Sequence, residues 1–274
     1  MNLTVNNTEQ SAAAAFSEQS AIFDELYASN LIVDYKRRRV RAHVLQWLPP
    51  QSNILELNSG TGQDALFFAS LGHHVHATDI SEGMQSVLKK KVSQLQAQHS
   101  ISTERCSFTE LQQLKSRGPY DLIFSNFAGL NCTGELNKVI HEFDSLLKPG
   151  GMATMVLLPG FCTWESLLLF RGKLKTATRR WFSGKGVKAH IEGHYFTCWY
   201  YPTRSVLKML PENFEVLGLE GLCTIVPPSY IEGFGNRYPR LFRWLCAKED
   251  QLKSSWPFRS TGDYYILTIR KRIS

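Results

Sequence analysis

Between Asn53 and Met84 the spacing of apolar residues changes several times. Ile54, Leu55 and Leu57 form a short apolar run, as expected of a strand buried on both faces. Ala65, Leu66, Phe68, Ala69 and Leu71 then recur at helical spacing, and Gly72 follows as a stop. His73 to Thr78 reads as a second strand, with Val75 and Ala77 inward and Asp79 at its carboxyl end. Gly60 and Gly62 permit the sharp turn between the first strand and the helix. Strand, turn, helix and strand in this order make half of a doubly wound α/β fold, which binds ligands at the carboxyl ends of its strands.

The remaining pattern extends that fold in both directions. Residues 1–12 are polar and predicted to be disordered, and a helix is expected over Ser11 to Ala28. A second helix runs from Ile32 to Trp47 and stops before Pro49-Pro50. Past Met84 the spacing predicts a helix to Gln98, a third strand over Cys106 to Phe108 and a fourth over Asp121 to Asn126. A helix from Glu135 to Leu147 ends at Lys148-Pro149-Gly150-Gly151, and Met152 to Leu158 is the fifth strand. The helix Thr203 to Met209 and strands over Phe214 to Leu219 and Asp263 to Ile269 complete a seven-stranded sheet. The long connections 160–200 and 220–260, the second holding a helix over Arg237 to Ser254, are expected to cover the sheet's carboxyl edge as a lid. The division that follows is a helical cap (1–48), a ligand-binding core (49–160), a basic aromatic lid (161–200) and a C-terminal part of the sheet with a helical insertion (201–274).

Composition narrows the class. Apolar content of 43% and charged content of 20% are globular values. No apolar run approaches the ~18 residues of a membrane span, and residues 1–20 lack the features of a secretory leader. The six cysteines are too widely spaced for a C-x-x-C site, so no metal is expected, and reduced thiols in a cytoplasm are the simplest reading. The net charge is +7, and Phe161 to Ser205 carries eight Lys/Arg against Glu165 and Glu192. That segment suits an anionic partner, such as an acidic carrier protein or the inner face of a membrane, and equally a solvated face.

The glycine turn carries the chemistry. Gly60-Thr-Gly62-Gln-Asp-Ala65 satisfies the dinucleotide pattern, and Asp79 could hold a ribose. Glu56 lies four residues before Gly60, where a carboxylate could act near an ammonium group. Asp64 adds negative charge in the first helical turn, where a pyrophosphate would want bare amides. A cationic, phosphate-free cofactor suits this loop better, and S-adenosylmethionine is such a molecule.

The stretch resembles motif I of the class I (Rossmann-like) S-adenosylmethionine-dependent methyltransferases, and Asp79-Ile80-Ser81-x-x-Met84 resembles their second motif. The resemblance implies that Glu56 acts near the methionine amine, that Asn58, Gly60 and Gly62 wrap the methionine end, and that Asp79 accepts both ribose hydroxyls. Ile80 and Met84 would flank the adenine, with Phe108, Thr109 or Glu110 near its amino group. Phe23, Asp24, Tyr27 and Asn30 match a F/Y-D-x-x-Y-x-x-N stretch that precedes an arginine-bearing helix in many relatives. Tyr27 and one of Arg37 to Arg39, with Arg38 the first choice, would then close over the methionine end. Asn126 to Cys132 resembles the S-N-F-x-x-L-N-C stretch of a bacterial small-molecule branch, which implies Asn126 and Phe127 on the cofactor and Leu130 and Asn131 toward substrate. Trp164-Glu165, Arg179-Arg180 and Tyr201-Pro202 also recur in that branch.

The acceptor side is less determined. The lid holds Trp164, Phe170, Trp181, Phe182, Tyr195, Phe196, Trp199, Tyr200 and Tyr201, which suits an aromatic or lipid-like molecule with an acidic end. Trp164 and Trp199 are the candidate contacts. A weakly acidic hydroxyl would be helped by a general base, and His194, then His190 with Tyr195 beside it, are the candidates; a carboxylic acid would need none. The expected activity is O-methylation of a small metabolite, with S-adenosylhomocysteine as product. Two alternatives differ in class. A nucleic-acid methyltransferase is disfavoured because Ser125-Asn126-Phe127-Ala128 replaces the N/D-P-P-Y motif of base-modifying relatives. A non-catalytic peripheral membrane protein would use Arg240, Arg243, Lys248, Trp244 and Phe242 on the helix near the C-terminus.

Overall fold

The chain's computed structural model describes residues 7–181 and 183–273. Helices α1 (Asn7–Gln19), α2 (Phe23–Ala28) and α3 (Leu31–Val44) precede strand β1 (Asn53–Leu57). Helix α4 (Gln63–Ser70), β2 (His74–Asp79), α5 (Glu82–Gln94), β3 (Ile101–Arg105), β4 (Tyr120–Ser125), α6 (Leu136–Leu146) and β5 (Leu147–Leu157) follow. A hairpin of β6 (Val187–Ile191) and β7 (His194–Cys198) interrupts the sheet, which resumes with β8 (Phe214–Leu222) and β9 (Tyr264–Lys271). The sheet has the order β3-β2-β1-β4-β5-β9-β8. Its first five strands are parallel, and β9 is antiparallel to both neighbours. Strand order reverses between β1 and β4, which opens the crevice of a doubly wound sheet at their carboxyl ends.

Alternation along each strand divides the core into two layers. Leu55, Leu57, Ile123, Met155 and Leu267 join α6 on one face. Ile54, Leu122, Phe124, Val156 and Ile266 join α3, α4 and α5 on the other. Phe68 of α4 meets Phe124 of β4 edge-on at 5.2 Å, both fully buried. Deleting such a ring costs about 3–5 kcal/mol, so this contact fixes α4 and with it the glycine loop that starts the helix.

Three expectations about elements change. The helix predicted from Ser11 to Ala28 is two helices joined by a turn, and it begins earlier, because residues 7–12, read as disordered, form the first turns of α1; residues 1–6 lie outside the described residues. The third strand is Ile101–Arg105, and Cys106 to Phe108 is the turn after it. This edge strand pairs only with β2, so its Ser-Thr-Glu-Arg sequence shows no buried run. The insertion 220–260 does not lie over the carboxyl edge as a whole. Its helix Pro239–Leu252 packs on α3, with Phe242 edge-on to Tyr35 at 6.1 Å, and reaches the crevice only through the preceding segment at Ser229. Among the described residues no helix is long and apolar enough to cross a membrane.

The lid 161–200 is held by charge. Buried Glu165 accepts from Arg179 and from Arg180, and Arg180 also donates to the carboxylate of Asp263 at 2.9 Å. Tyr201 donates to the Thr133 carbonyl, and Tyr265 donates to the Tyr201 carbonyl at 3.0 Å. Trp164-Glu165, Arg179-Arg180 and Tyr201-Pro202 therefore include a buried ion-pair knot and a tyrosine anchor.

Candidate active site

A cavity of about 360 Å³ lies at the carboxyl ends of β1, β2 and β4, roofed by α1, α2 and α3. Sheet order sets its polar groups in a row. Asp79 ends β2, Glu56 lies in β1, Asn126 follows β4, and Tyr264 begins the antiparallel β9. The glycine loop supplies backbone rather than side chains. Gly62 has φ +80°, and a Cβ there would stand 2.1 Å from the Leu88 side chain, so α4 can start here only from glycine. Asn58, also left-handed at φ 47°, donates to the Asn126 carbonyl at 2.9 Å and accepts from the Ser125 hydroxyl at 2.6 Å. It ties the tip of β1 to that of β4.

The cap docks through the residues of its motif. Asp24 accepts from the Thr61 hydroxyl at 2.7 Å and pairs with Lys91. Asn30 caps α3 by accepting from the amides of Ile32 and Val33, while its amide group donates to the Ser229 carbonyl at 3.0 Å. Phe23 and Tyr27, edge-on at 5.1 Å, line the cavity.

Electrostatics distinguish the acids in this row. Glu56 is 3% exposed, and its Oε2 has no hydrogen-bond partner. Burial holds its pKa well above the usual carboxylate range, Asp64 and Asp79 add repulsion, and Arg41 and Arg37 offset only part. Arg41 is committed elsewhere: it donates to Asp64 at 2.7 Å, and Asn126 donates to the same carboxylate at 2.8 Å. Asp64 is thus neutralised, whereas Glu56 is not. Asp79 is also raised by burial, against the amides of Ser81 and Gly60 that donate to it at 2.8 Å each. A buried carboxylate with a free oxygen is costly unless a cation or donor arrives. The residues present therefore fit a ligand with an ammonium beside Glu56 and a diol beside Asp79.

Comparison with known proteins agrees with this geometry. Residues 54–151 match the model of a family described as "Methyltransferase domain". That stretch, with the strand order around it, has the fold of the class I S-adenosylmethionine-dependent methyltransferases. A stretch of 110 residues is 29% identical to protein-L-isoaspartate O-methyltransferase of Pectobacterium atrosepticum, over 40% of this chain and 51% of that protein. The chain thus spans about half the length of that curated relative. The CcbJ methyltransferase of Streptomyces caelestis superposes with a TM-score of 0.59 at 16% identity, over 86% of this chain and 95% of that one. The 1,6-didemethyltoxoflavin-N1-methyltransferase of Burkholderia thailandensis, solved with 1,6-didemethyltoxoflavin and S-adenosylhomocysteine bound, superposes at 0.58 and 13% identity, over 99% and 93%. The last two likenesses establish the fold. S-adenosylmethionine is the cofactor of this family.

Within the methyltransferase fold, ten of the thirteen residues expected to hold the cofactor line the cavity: Tyr27, Glu56, Asn58, Gly60, Asp79, Ile80, Met84, Phe108, Asn126 and Phe127. Gly62 acts behind the wall, as the start of α4. Thr109 is buried outside the cavity, its hydroxyl on Glu9. Arg38 points to solvent and pairs with Asp34, while its neighbours Lys36 and Arg37 face the cavity. The helix advances about 100° per residue, which turns adjacent positions away from each other.

The acceptor-side residues lie elsewhere. His194 is at 3.0 Å from Glu18 on the outer side of α1, and His190 lies tilted against exposed Tyr195 with ring centroids 4.5 Å apart. None of the three lines the cavity, because the hairpin lays these side chains against α1 or into solvent; only Ile191 at its turn reaches the site. Leu130 is wholly buried core. Asn131, also wholly buried, splints loops by donating to the Trp199 carbonyl at 2.5 Å and accepting from the Leu158 amide at 3.1 Å. Trp199 packs on Gly134 and Gly186, and Trp164 lies outside the cavity wall. None of the lid's described aromatics lines the site, and Phe182 is outside the described residues. The rings that do come from the cap and the sheet: Phe16, Phe23, Tyr27, Phe108, Phe127 and Tyr264. Sequence reasoning missed Glu9, Lys36 and Tyr264, and the only local signal was a lysine beside the arginine run.

Proposed function

We propose that this chain transfers the methyl group of S-adenosylmethionine to an anionic oxygen on a small aromatic or lipid-like metabolite. The observation that carries the reading is Lys36. Its side chain is almost wholly buried at the β9 end of the cavity, where its ammonium donates to the Ser229 hydroxyl at 2.9 Å. The ammonium also stands over the rings of Tyr264 at 4.5 Å and Phe127 at 5.6 Å. Asp263, its nearest carboxylate at 3.9 Å, is bound by Arg180. A buried ammonium framed by aromatic faces favours a flat acceptor with a carboxylate or acidic hydroxyl.

When bound, the cofactor supplies an electrophilic methyl on a sulfonium. Glu56 would hold its amine and Asp79 its ribose, with Arg37, which stands over Phe127 at 5.3 Å, toward the carboxylate of the methionine end. Lys36 would keep the acceptor oxygen deprotonated and in place, and the cap would exclude water. No histidine base is then required.

The test is methyl transfer by the purified protein to aromatic carboxylic acids and acidic phenols, set against their amides and methyl ethers. Turnover should be confined to the acids and fall about a hundredfold in Lys36→Met, with the cofactor dissociation constant, read by calorimetry, within about twofold. Equal turnover of the neutral counterparts, insensitive to Lys36→Met, would refute the acceptor class.

A further inference from the structure

The row of cavity acids continues past Asp79 to a residue that is far away in sequence. Glu9, on α1, is 2% exposed and lines the cavity at the β3 end, beside Ile80, Met84 and Phe108. One carboxylate oxygen is fixed: the Ser107 hydroxyl donates to Oε2 at 2.5 Å and that of Thr109 at 3.1 Å. The other, Oε1, has no hydrogen-bond partner. Thr133 stands near enough to favour the carboxylate but completes no bond to Oε1. Burial still holds Glu9 above its usual pKa. The turn after β3 brings no acid of its own to the wall; its hydroxyls aim the carboxylate of α1 instead. An unpartnered acceptor in a wall that also carries Ile80, Met84 and Phe108 selects a flat ring with a hydrogen-bond donor.

We propose that Glu9 reads the exocyclic amino group of the adenine, so that α1 is part of the cofactor site and closes upon it. The inference rests on the cavity being the S-adenosylmethionine site. Ligand contact from α1 then bears on the whole helix. Ser17 and Ser81 share a hydrogen bond at 2.7 Å, and a Cβ on Gly83 would stand 2.6 Å from the Ser17 carbonyl, so α1 lies flush against α5. Phe16 meets Phe196 of β7 at 6.3 Å, which joins the same helix to the lid hairpin. Adenine on Glu9 would therefore seat cap, α5 and lid together.

Two nucleosides separate the possibilities. S-adenosylhomocysteine presents an amino group at C6, and S-inosylhomocysteine presents a carbonyl oxygen there. By calorimetry the wild-type protein should prefer the adenosyl compound at least about thirtyfold, because a carboxylate facing a carbonyl leaves both unpaired. Glu9→Gln, whose amide can donate to that oxygen, should narrow the preference to about threefold or less. Hydrogen exchange supplies a second readout: the adenosyl compound should slow exchange across residues 7–19 in the wild type and much less in Glu9→Gln. Melting of the ligand-free variant within about 3 °C of the wild type would show that it folds. Thirtyfold selectivity retained in Glu9→Gln would overturn the role of Glu9 alone. Failure of the wild type to bind either nucleoside would overturn the assignment of the cavity, and this inference with it.

Discussion

Two sets of carboxylates, one away from this cavity and one lining it, obey opposite rules. Glu165, Glu220 and Glu249 are buried outside it and are fully partnered. Glu165 accepts from two arginines, Glu220 lies 3.2 Å from Arg39 and 3.1 Å from His43, and Glu249 accepts from four successive amides, Cys223 to Val226. Glu9 and Glu56 are as deeply buried and Asp79 is half-buried, but all three line the cavity, and the first two each keep an oxygen with no partner. Desolvation is the largest influence on all five of these acids whose pKa shift is resolved, yet the outcomes differ. Cations overcome it at Glu165 and Glu220, which are lowered, and nothing overcomes it at Glu9, Glu56 and Asp79, which are raised. The first set is what a fold needs to bury charge. The second is charge held at a cost to stability, and such sites are usually for ligands.

The largest test removes one charge of the second kind. Glu56→Gln should weaken S-adenosylmethionine binding by about 3–4 kcal/mol, several hundredfold, since a buried carboxylate loses its ammonium partner. The ligand-free variant should melt no lower than the wild type, because its unpaired charge is gone. A lower melting temperature with unchanged affinity would place Glu56 among the structural acids.

The complementary variant belongs to the first set. Glu165→Gln takes the carboxylate from Arg179 and leaves Arg180 with Asp263 alone, and should cost about 3 kcal/mol of stability, read as a drop of roughly 6–12 °C in melting temperature. Its cofactor dissociation constant should stay within about twofold. Loss of affinity in excess of the loss of stability would move the ion-pair knot into the cofactor site.

Acid titration sharpens the same contrast. The carboxyl of Glu220 is lowered to about 2, against burial, by His43, Lys253 and Arg39. Its folded pKa lies below its unfolded value, so its stabilisation is present above the unfolded pKa and is lost as pH falls toward about 2. Discounted for solvent around the pair, this amounts to about 1–2 kcal/mol. Glu220→Gln should flatten the acid limb of a melting-temperature profile below about pH 4.5. Glu56 and Asp79 have the opposite sign. Their raised values favour the ligand-free fold at low pH, and that contribution is lost as pH rises through them, whereas cofactor affinity should increase over the same interval.

What the sequence disclosed follows from how far apart the cooperating residues lie. Glu56, Gly60, Gly62 and Asp79 belong to one strand-turn-helix-strand unit, and their spacing is their geometry. The seven strands were legible for the same reason, apart from β3, whose exposed edge removes the apolar run. The basic run does not distinguish Arg38 from Arg37, because charge alone does not reveal which helical face is buried. Glu9 was hidden because its partner Ser107 is 98 positions away and its helix begins in a polar stretch. The lid aromatics misled because a ring's identity says nothing of the side it faces: Phe170 is 88% exposed, whereas Tyr264 of β9 forms the cavity wall.

The smallest expected effect concerns the residue that sequence reasoning had placed at the reaction. His194 meets Glu18 across an exposed contact at 3.0 Å, with 34% of one side chain and 61% of the other in solvent. Pairs of this kind contribute between nothing and about 1 kcal/mol. The contact joins β7 to α1 and leaves the cavity wall untouched. His194→Ala should therefore leave methyl transfer within about twofold at every pH and lower the melting temperature by no more than about 3 °C. A general base would behave otherwise: turnover would fall by two orders of magnitude or more, and the pH-rate profile would lose its lower inflection. Such a loss would mean that the hairpin turns inward when substrate binds and that the acceptor is a neutral hydroxyl, which would replace Lys36 as the group that governs the acceptor oxygen.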